Sequence, residues 1–91
     1  MPEQVIIAPD QSRLNVTWGG QNGDLPDPIP IDATEQQIRT WATEAVQNGS
    51  IPGIPADRTA NFADYVIERN APHEARPHHL TQLRPKTPFG K

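Results

Sequence analysis

The chain has 91 residues, no cysteine and a formal net charge of −3, which suits one domain and excludes disulfides, thiolate catalysis and cysteine-based zinc sites. Leu, Ile, Val and Phe together number 18 of 91, so we expect one modest core with flexible ends. The longest apolar run, 5–8, is far too short for a membrane span. The first residues also lack the features of a secretory signal, and we expect a cytoplasmic protein without a membrane partner.

Charge is distributed unevenly along the chain. Residues 1–75 carry four arginines and eleven acids, giving −7, whereas residues 76–91 carry four cations and no acid, giving +4. A basic segment on an acidic body favours contact with acidic protein surfaces. Because the body would repel phosphates and few cations cluster, we expect no nucleic-acid partner.

The first predicted elements form a hairpin. Residues 13–18 alternate apolar and polar side chains, which is typical of a half-buried strand. The glycine-rich stretch 19–24 predicts the reversal, and 28–32 is the predicted returning strand. Prolines in the returning segment cannot donate ladder hydrogen bonds, so we place it at an edge of the sheet.

The next element is a helix with clear local signals. Thr34 and Gln37 have the spacing of a capping box, and apolar residues recur at helical spacing over the following turns. Gly49 stands where a left-handed residue usually ends a helix. The helix is therefore predicted over about 34–48.

The segment after the helix predicts further strands. Prolines make 51–55 an extended or turning connector, and 62–69 is rich in β-branched and aromatic residues. The buried face of this third strand stays open between Tyr65 with Ile67 and Val66 alone.

Residues 79–84 predict a possible last short strand, and a mobile tail is expected after it. The resulting order of strand, hairpin, strand, helix and strand indicates an α+β fold.

Several of these segments together resemble a known fold. The run Leu14-Asn-Val-Thr-Trp-Gly-Gly, then Ile29-Pro-Ile-Asp-Ala-Thr, then a helix ending in Asn48-Gly49, resembles the β-grasp fold of ubiquitin-like proteins. Ile54-Pro-Ala-Asp-Arg is similar to the connector after the helix in ubiquitin. The resemblance implies a mixed sheet of four or five short strands packed on one helix. It also implies the following division of the chain: an N-terminal arm or extra strand over 1–12, a ubiquitin-like domain over 13–84, and a flexible C-terminal tail over 85–91.

The last residues resemble a basic, extended conjugation tail. The tail is most similar to those of ubiquitin-like modifiers from bacterial ubiquitination-type operons. In these modifiers a terminal glycine is activated and joined to an amine through an isopeptide bond. The resemblance implies processing between Gly90 and Lys91 and conjugation through Gly90. The residues implied to contact partner enzymes through the tail are Arg84, Lys86 and Phe89.

The partners implied by the resemblance are an E1-like adenylating enzyme, an E2-like carrier, a JAB-type peptidase and target proteins. Glycine suits a narrow enzyme channel because it lacks a Cβ, and prolines hold a tail extended at low entropic cost. Tyr65 is the candidate for a surface patch on the exposed face of the sheet. The alternative is a non-covalent β-grasp interaction module, such as an adaptor or regulatory subunit.

Other groups of residues point less clearly to chemistry. The histidine-rich loop 73–79 has metal-ligand side chains, but Pro72 and Pro77 forbid a rigid helix there, so a solvated loop is the better interpretation. A metal- or peptide-binding accessory protein is the third hypothesis. Since no nucleophile has a base near it in sequence and no phosphate loop is present, we expect neither an enzyme nor a cofactor or metal.

Overall fold

The structure is a computed structural model that describes residues 7–85. Its elements, in chain order, are β1 (Gln11–Trp18), β2 (Gln21–Asp24), β3 (Ile29–Pro30), α1 (Glu35–Asn48), β4 (Tyr65–Asn70) and β5 (His79–Pro85). The strands form one five-stranded sheet in the order β2-β1-β5-β4, and β3 also pairs with β1. The predicted α+β architecture, with a mixed sheet and one helix, is confirmed.

The two middle strands of the sheet, β1 and β5, run parallel. Leu14 lies opposite Thr81 and Val16 opposite Leu83, whereas all the other strand pairs are antiparallel. Parallel neighbours need a long crossover connection, and here the helix provides part of it. A parallel pairing of the first and last strands, with a hairpin and a helix between them in sequence, makes the fold β-grasp-like.

The hairpin after β1 is tighter than predicted. Gly19 and Gly20 have φ values of 61° and 80°, which suit a two-residue type I′ turn, and β2 begins at once. The prediction of one returning strand over 28–32 is wrong in its bounds, because the chain pairs with β1 over both β2 and β3. Pro26 and Pro28 lie between these strands and lack the N–H that a continuous ladder needs.

The helix was predicted correctly. The Thr34 hydroxyl accepts from the Gln37 backbone N–H at 3.1 Å, and the Gln37 side chain accepts from the Thr34 N–H at 2.9 Å. Gly49 caps the other end with φ 70°. Apolar side chains along one face of α1, at Ile38, Ala42 and Val46, are buried against the sheet.

The connector between α1 and β4 is part of the core. Its four buried side chains are Ile51, Ile54, Ala60 and Phe62. The third strand was predicted to begin at Phe62 but begins at Tyr65, because the Tyr65 N–H donates to the Phe62 carbonyl in a turn before the strand. Its core-facing residues are Tyr65 and Ile67, which resolves the choice left open by the sequence.

The two predicted boundaries of the ubiquitin-like domain, after residues 12 and 84, each fall inside a strand. β1 begins at Gln11 and β5 ends at Pro85, so the last two residues of the predicted N-terminal arm and the first of the predicted tail belong to strands. Within residues 7–85, no helix is long and apolar enough to cross a membrane.

Candidate functional site

The last described residues of β5 lie beside the start of β4. Tyr65 lies opposite Pro85 and Val66 opposite Arg84, whereas the pairing of β5 with β1 stops at Leu83. The last two residues of β5 therefore pair with β4 alone. We call this region the exit end and define it by Trp18, Phe62, Tyr65, Val66, Arg84 and Pro85.

Side chains alternate between the two faces of the sheet at the exit end. Tyr65 packs against the core and is only partly buried, so it does not lie on the outer face where the sequence analysis placed it. Val66 points the other way and is 41% exposed. It is the apolar residue of the outer face that the sequence analysis missed, and the strand's alternation was the signal for it.

Three aromatic rings of the exit end pack together on the core side of the sheet. The centroid of Phe62 is 5.1 Å from that of Trp18 and 4.8 Å from that of Tyr65, both edge to face. Trp18 and Tyr65 stack at 5.9 Å. These separations are those of favourable aromatic pairs. Burial raises the pKa of the Tyr65 hydroxyl, so this ring remains neutral at physiological pH.

One arginine ties the aromatic cluster to the helix. Arg39 donates from Nε to the Phe62 carbonyl at 3.0 Å and from Nη2 to the Tyr65 carbonyl at 2.8 Å. Its Nη1 lies 3.4 Å from a Glu35 carboxylate oxygen one helical turn earlier. The turn before β4 is therefore held by a charged donor, and such hydrogen bonds are stronger than neutral ones.

Asp57 fixes the tryptophan of the cluster. One carboxylate oxygen accepts from the Trp18 indole N–H at 2.9 Å, and the other accepts from the Thr59 backbone N–H and hydroxyl at 2.9 and 2.6 Å. The Thr59 hydroxyl first, and then the Trp18 indole, hold the pKa of Asp57 below its usual value of 3.8. Donors to a carboxylate stabilise its ionised form.

This arrangement predicts an acid-sensitive contact. Because the folded pKa of Asp57 is lowered, the contribution of its carboxylate to stability is present above the unfolded pKa, near 3.8, and is lost as pH falls through the folded value. We expect Asp57→Asn to reduce stability at neutral pH, with the difference from wild type shrinking below about pH 4. Urea unfolding across pH measures this.

The control for that experiment is Asp64→Asn, an exposed acid near the same connector. We expect it to leave the pH profile of unfolding close to that of wild type. If the two asparagine variants behaved alike, the hydrogen bonds that the Asp57 carboxylate accepts from Trp18 and Thr59 would contribute nothing to the fold.

The outer face of the sheet is lined with polar pairs. Arg84 pairs with Glu68, and both side chains are about half exposed. Asn70 and Gln82 are hydrogen-bonded beside them at 3.3 Å. An exposed ion pair contributes little to stability, so the Arg84 guanidinium can be drawn to a partner's carboxylate at small energetic cost.

The other predicted tail residues, Lys86, Phe89, Gly90 and Lys91, lie outside the described residues. Of the predicted site residues, the structure therefore places Arg84 and Tyr65, and it brings them together at the exit end on opposite faces. The sequence did not predict that Trp18 would pack against Phe62 and Tyr65 at the exit end.

The histidine-rich loop forms the turn between β4 and β5. His73 and Arg76 exchange two backbone hydrogen bonds at 2.9 and 3.0 Å. Burial, and then the charges of Arg13 and Arg76, lower the pKa of His78. In the part of the chain that the structure describes, no three His, Cys, Asp or Glu side chains are grouped to hold a metal ion.

Comparisons with protein-family models, with curated proteins and with solved structures return no match to this chain. The likeness to the β-grasp fold therefore rests on the order and pairing of the strands around the single helix.

Proposed function

We propose that this chain is a bacterial ubiquitin-like protein modifier, processed after Gly90 and conjugated through that glycine by an E1-like adenylating enzyme. The observation that carries the proposal is the position of the exit end. The central strand β5 reaches the edge of the domain at Pro85, where it pairs with β4 alone. Four residues lie between Pro85 and Gly90, and the five Cα-to-Cα steps from one to the other span at most about 18 Å.

The proposed chemistry needs only a reachable glycine carboxylate on this chain. The partner enzyme would join that carboxylate to AMP from ATP, releasing pyrophosphate, and a carrier thiol would then displace AMP. A target amine would displace the thiolate and form the isopeptide bond. All reacting groups other than the glycine belong to the partners, which agrees with an expected role as a substrate of enzymes.

The exit end supplies a surface next to the proposed reacting segment. Val66 and Arg84 face outwards on neighbouring strands, and together they offer a partner one apolar and one cationic contact. Charged contacts of this kind mainly raise association rates and fix register. A peptidase, an adenylating enzyme and a carrier that share one substrate would all meet this surface.

The experiment is a search for conjugates with a diagnostic remnant. Trypsin cleaves after Lys86, so a lysine conjugated to Gly90 would carry the branched remnant Thr87-Pro88-Phe89-Gly90. We expect an N-terminally tagged chain, expressed in its own host and purified under denaturing conditions, to yield target peptides with this remnant by mass spectrometry.

The matched variants are Gly90→Arg and Ser50→Arg. The first adds a bulky charged side chain at the reacting residue and is expected to abolish the higher-mass tagged conjugates themselves, since a remnant that contains Gly90 is lost in this variant by sequence alone. The second adds the same side chain at an exposed position that is not part of the exit end and should leave them unchanged. Conjugates that persist in Gly90→Arg, or an absence of conjugates in wild type, would reject the proposal.

A second candidate function is a non-covalent interaction module. The exposed Val66 on the outer face favours it, because an apolar side chain beside polar pairs suits a reversible contact. Reversible complexes that are lost in Val66→Asp but retained in Gly90→Arg would support this function over conjugation.

A further inference from the structure

A groove runs between α1 and the segment that joins β2 to β3. It has a volume of about 380 Å³. Trp41 from the helix and Leu25 from the segment give it an apolar floor, and Pro28 and Pro30 form part of its wall. Trp41 and Leu25 are only partly buried against the core. We call it the α1–β3 groove.

The rim of the α1–β3 groove is acidic. Asp27 and Glu44, both exposed, line it, and none of its nine lining residues is basic. Two other grooves in the described chain differ in charge, because one contains Arg39 beside Glu44 and the other contains Arg69. An extended peptide with cations beside an apolar centre therefore suits this groove better than the others.

Residues 86–91 of this chain have that composition. Lys86 precedes Pro88 and Phe89, Lys91 follows them in the unprocessed chain, and the segment contains no acidic side chain. Proline favours an extended polyproline conformation, and aromatic-lined grooves commonly bind such segments. We propose that the α1–β3 groove binds residues 86–91 of a second copy of this chain. This goes beyond the proposed function, since it requires no conjugation.

The topology favours a second copy over the same chain. The exit end lies beside β4 at one edge of the sheet, whereas the groove lies on the β3 side of β1. β5 and β1 lie between the two, and α1 covers the sheet face between them. A segment bound within its own chain would have to span the strands β5 and β1 to reach the groove. Reciprocal exchange in a two-fold dimer fills both grooves without this detour.

The test follows the two tryptophan indole N–H signals of the full-length, ¹⁵N-labelled chain by NMR. Trp41 lines the groove, and Trp18 donates to Asp57 and serves as the internal control. On raising the protein concentration, we expect the Trp41 signal to move saturably while the Trp18 signal stays in place. Sedimentation equilibrium should show the mass rising towards that of a dimer over the same range.

The matched variants are Asp27→Lys and Asp64→Lys, two exposed acids of which only the first lines the groove. We expect Asp27→Lys to weaken dimerisation by about tenfold and Asp64→Lys to leave it unchanged. Phe89→Ser should abolish it.

Two outcomes would overturn the inference. One is a chain that stays monomeric with both indole signals fixed at every concentration. The other is a Trp41 signal that depends on Asp27 and Phe89 but not on concentration, because that result assigns the groove to the segment of the same chain.

Discussion

Replacing Phe62 with alanine is expected to lower the free energy of unfolding by about 3–5 kcal/mol, the range for deleting a buried aromatic side chain. The ring is 1% exposed and packs edge to face on both Trp18 and Tyr65. Its loss removes these contacts and leaves a cavity within the exit end. Urea unfolding followed by circular dichroism measures the change.

The control is Val66→Ala, which also truncates an apolar side chain of this region but at a position 41% exposed. We expect a loss of less than about 1 kcal/mol, because little apolar surface returns to water. Equal losses in the two variants would contradict the view that Phe62 closes the core. Domains of this size are stable by only about 5–15 kcal/mol. Phe62→Ala should therefore also increase the mobility of the other residues that define the exit end.

The elements predicted well are those with signals close together in sequence. All the signals that predict the helix lie within sixteen residues: the capping box at Thr34, the apolar stripe and Gly49. β1 shows its alternation in the same local way, with Leu14 and Val16 buried. These patterns depend on the periods of helix and strand, which are properties of the backbone.

The elements predicted poorly depend on contacts between distant residues. Phe62 has strong strand propensity, yet it lies in a connector because Arg39, 23 residues earlier, binds its carbonyl. Arg69 similarly donates to the carbonyls of Ile31 and Ala33, which fixes the turn before the helix. No spacing rule links an arginine to carbonyls so far away, so propensity alone placed the strand too early.

The candidate site was predictable in its strands but not in its faces. The sequence indicated a strand through Tyr65 and a last strand near Arg84, and the antiparallel register of β4 with β5 brings the two together. Which side of β4 faces the helix follows only from that register, since a shift of one residue exchanges the two faces. Tyr65 therefore joined the core, and Val66 took the outer position.

The α1–β3 groove was equally hidden from the sequence. Trp41 belongs to the apolar stripe of the helix, a spacing that favours a place in the core over a binding surface. Pro28 and Pro30 were considered as breaks in a strand ladder. Only the paired position of β3 beside the helix brings these residues to one surface with Asp27 and Glu44.

Replacing Gly23 with alanine is expected to destabilise the protein by about 1–3 kcal/mol, although Gly→Ala in a strand usually stabilises by about 0.4–1 kcal/mol. Gly23 lies in β2 and is not among the glycines with positive φ, so its backbone would accept a side chain. Its surroundings would not. A Cβ there would lie 2.6 Å from Ile51 Cγ2 and closer still to the Pro52 carbonyl oxygen.

A double-mutant cycle separates this clash from a general effect on β2. Ile51→Ala removes one of the two atoms that the new methyl meets, so we expect the loss in the double variant to be smaller than the sum of the two single losses. Gly20→Ala is the control for backbone effects, because its φ is +80° but no atom lies within 4 Å of the added Cβ. It should combine additively with Ile51→Ala. If Gly23→Ala were as stable as wild type, β2 would not be packed against the connector, and the buried position of Ile51 would need another explanation.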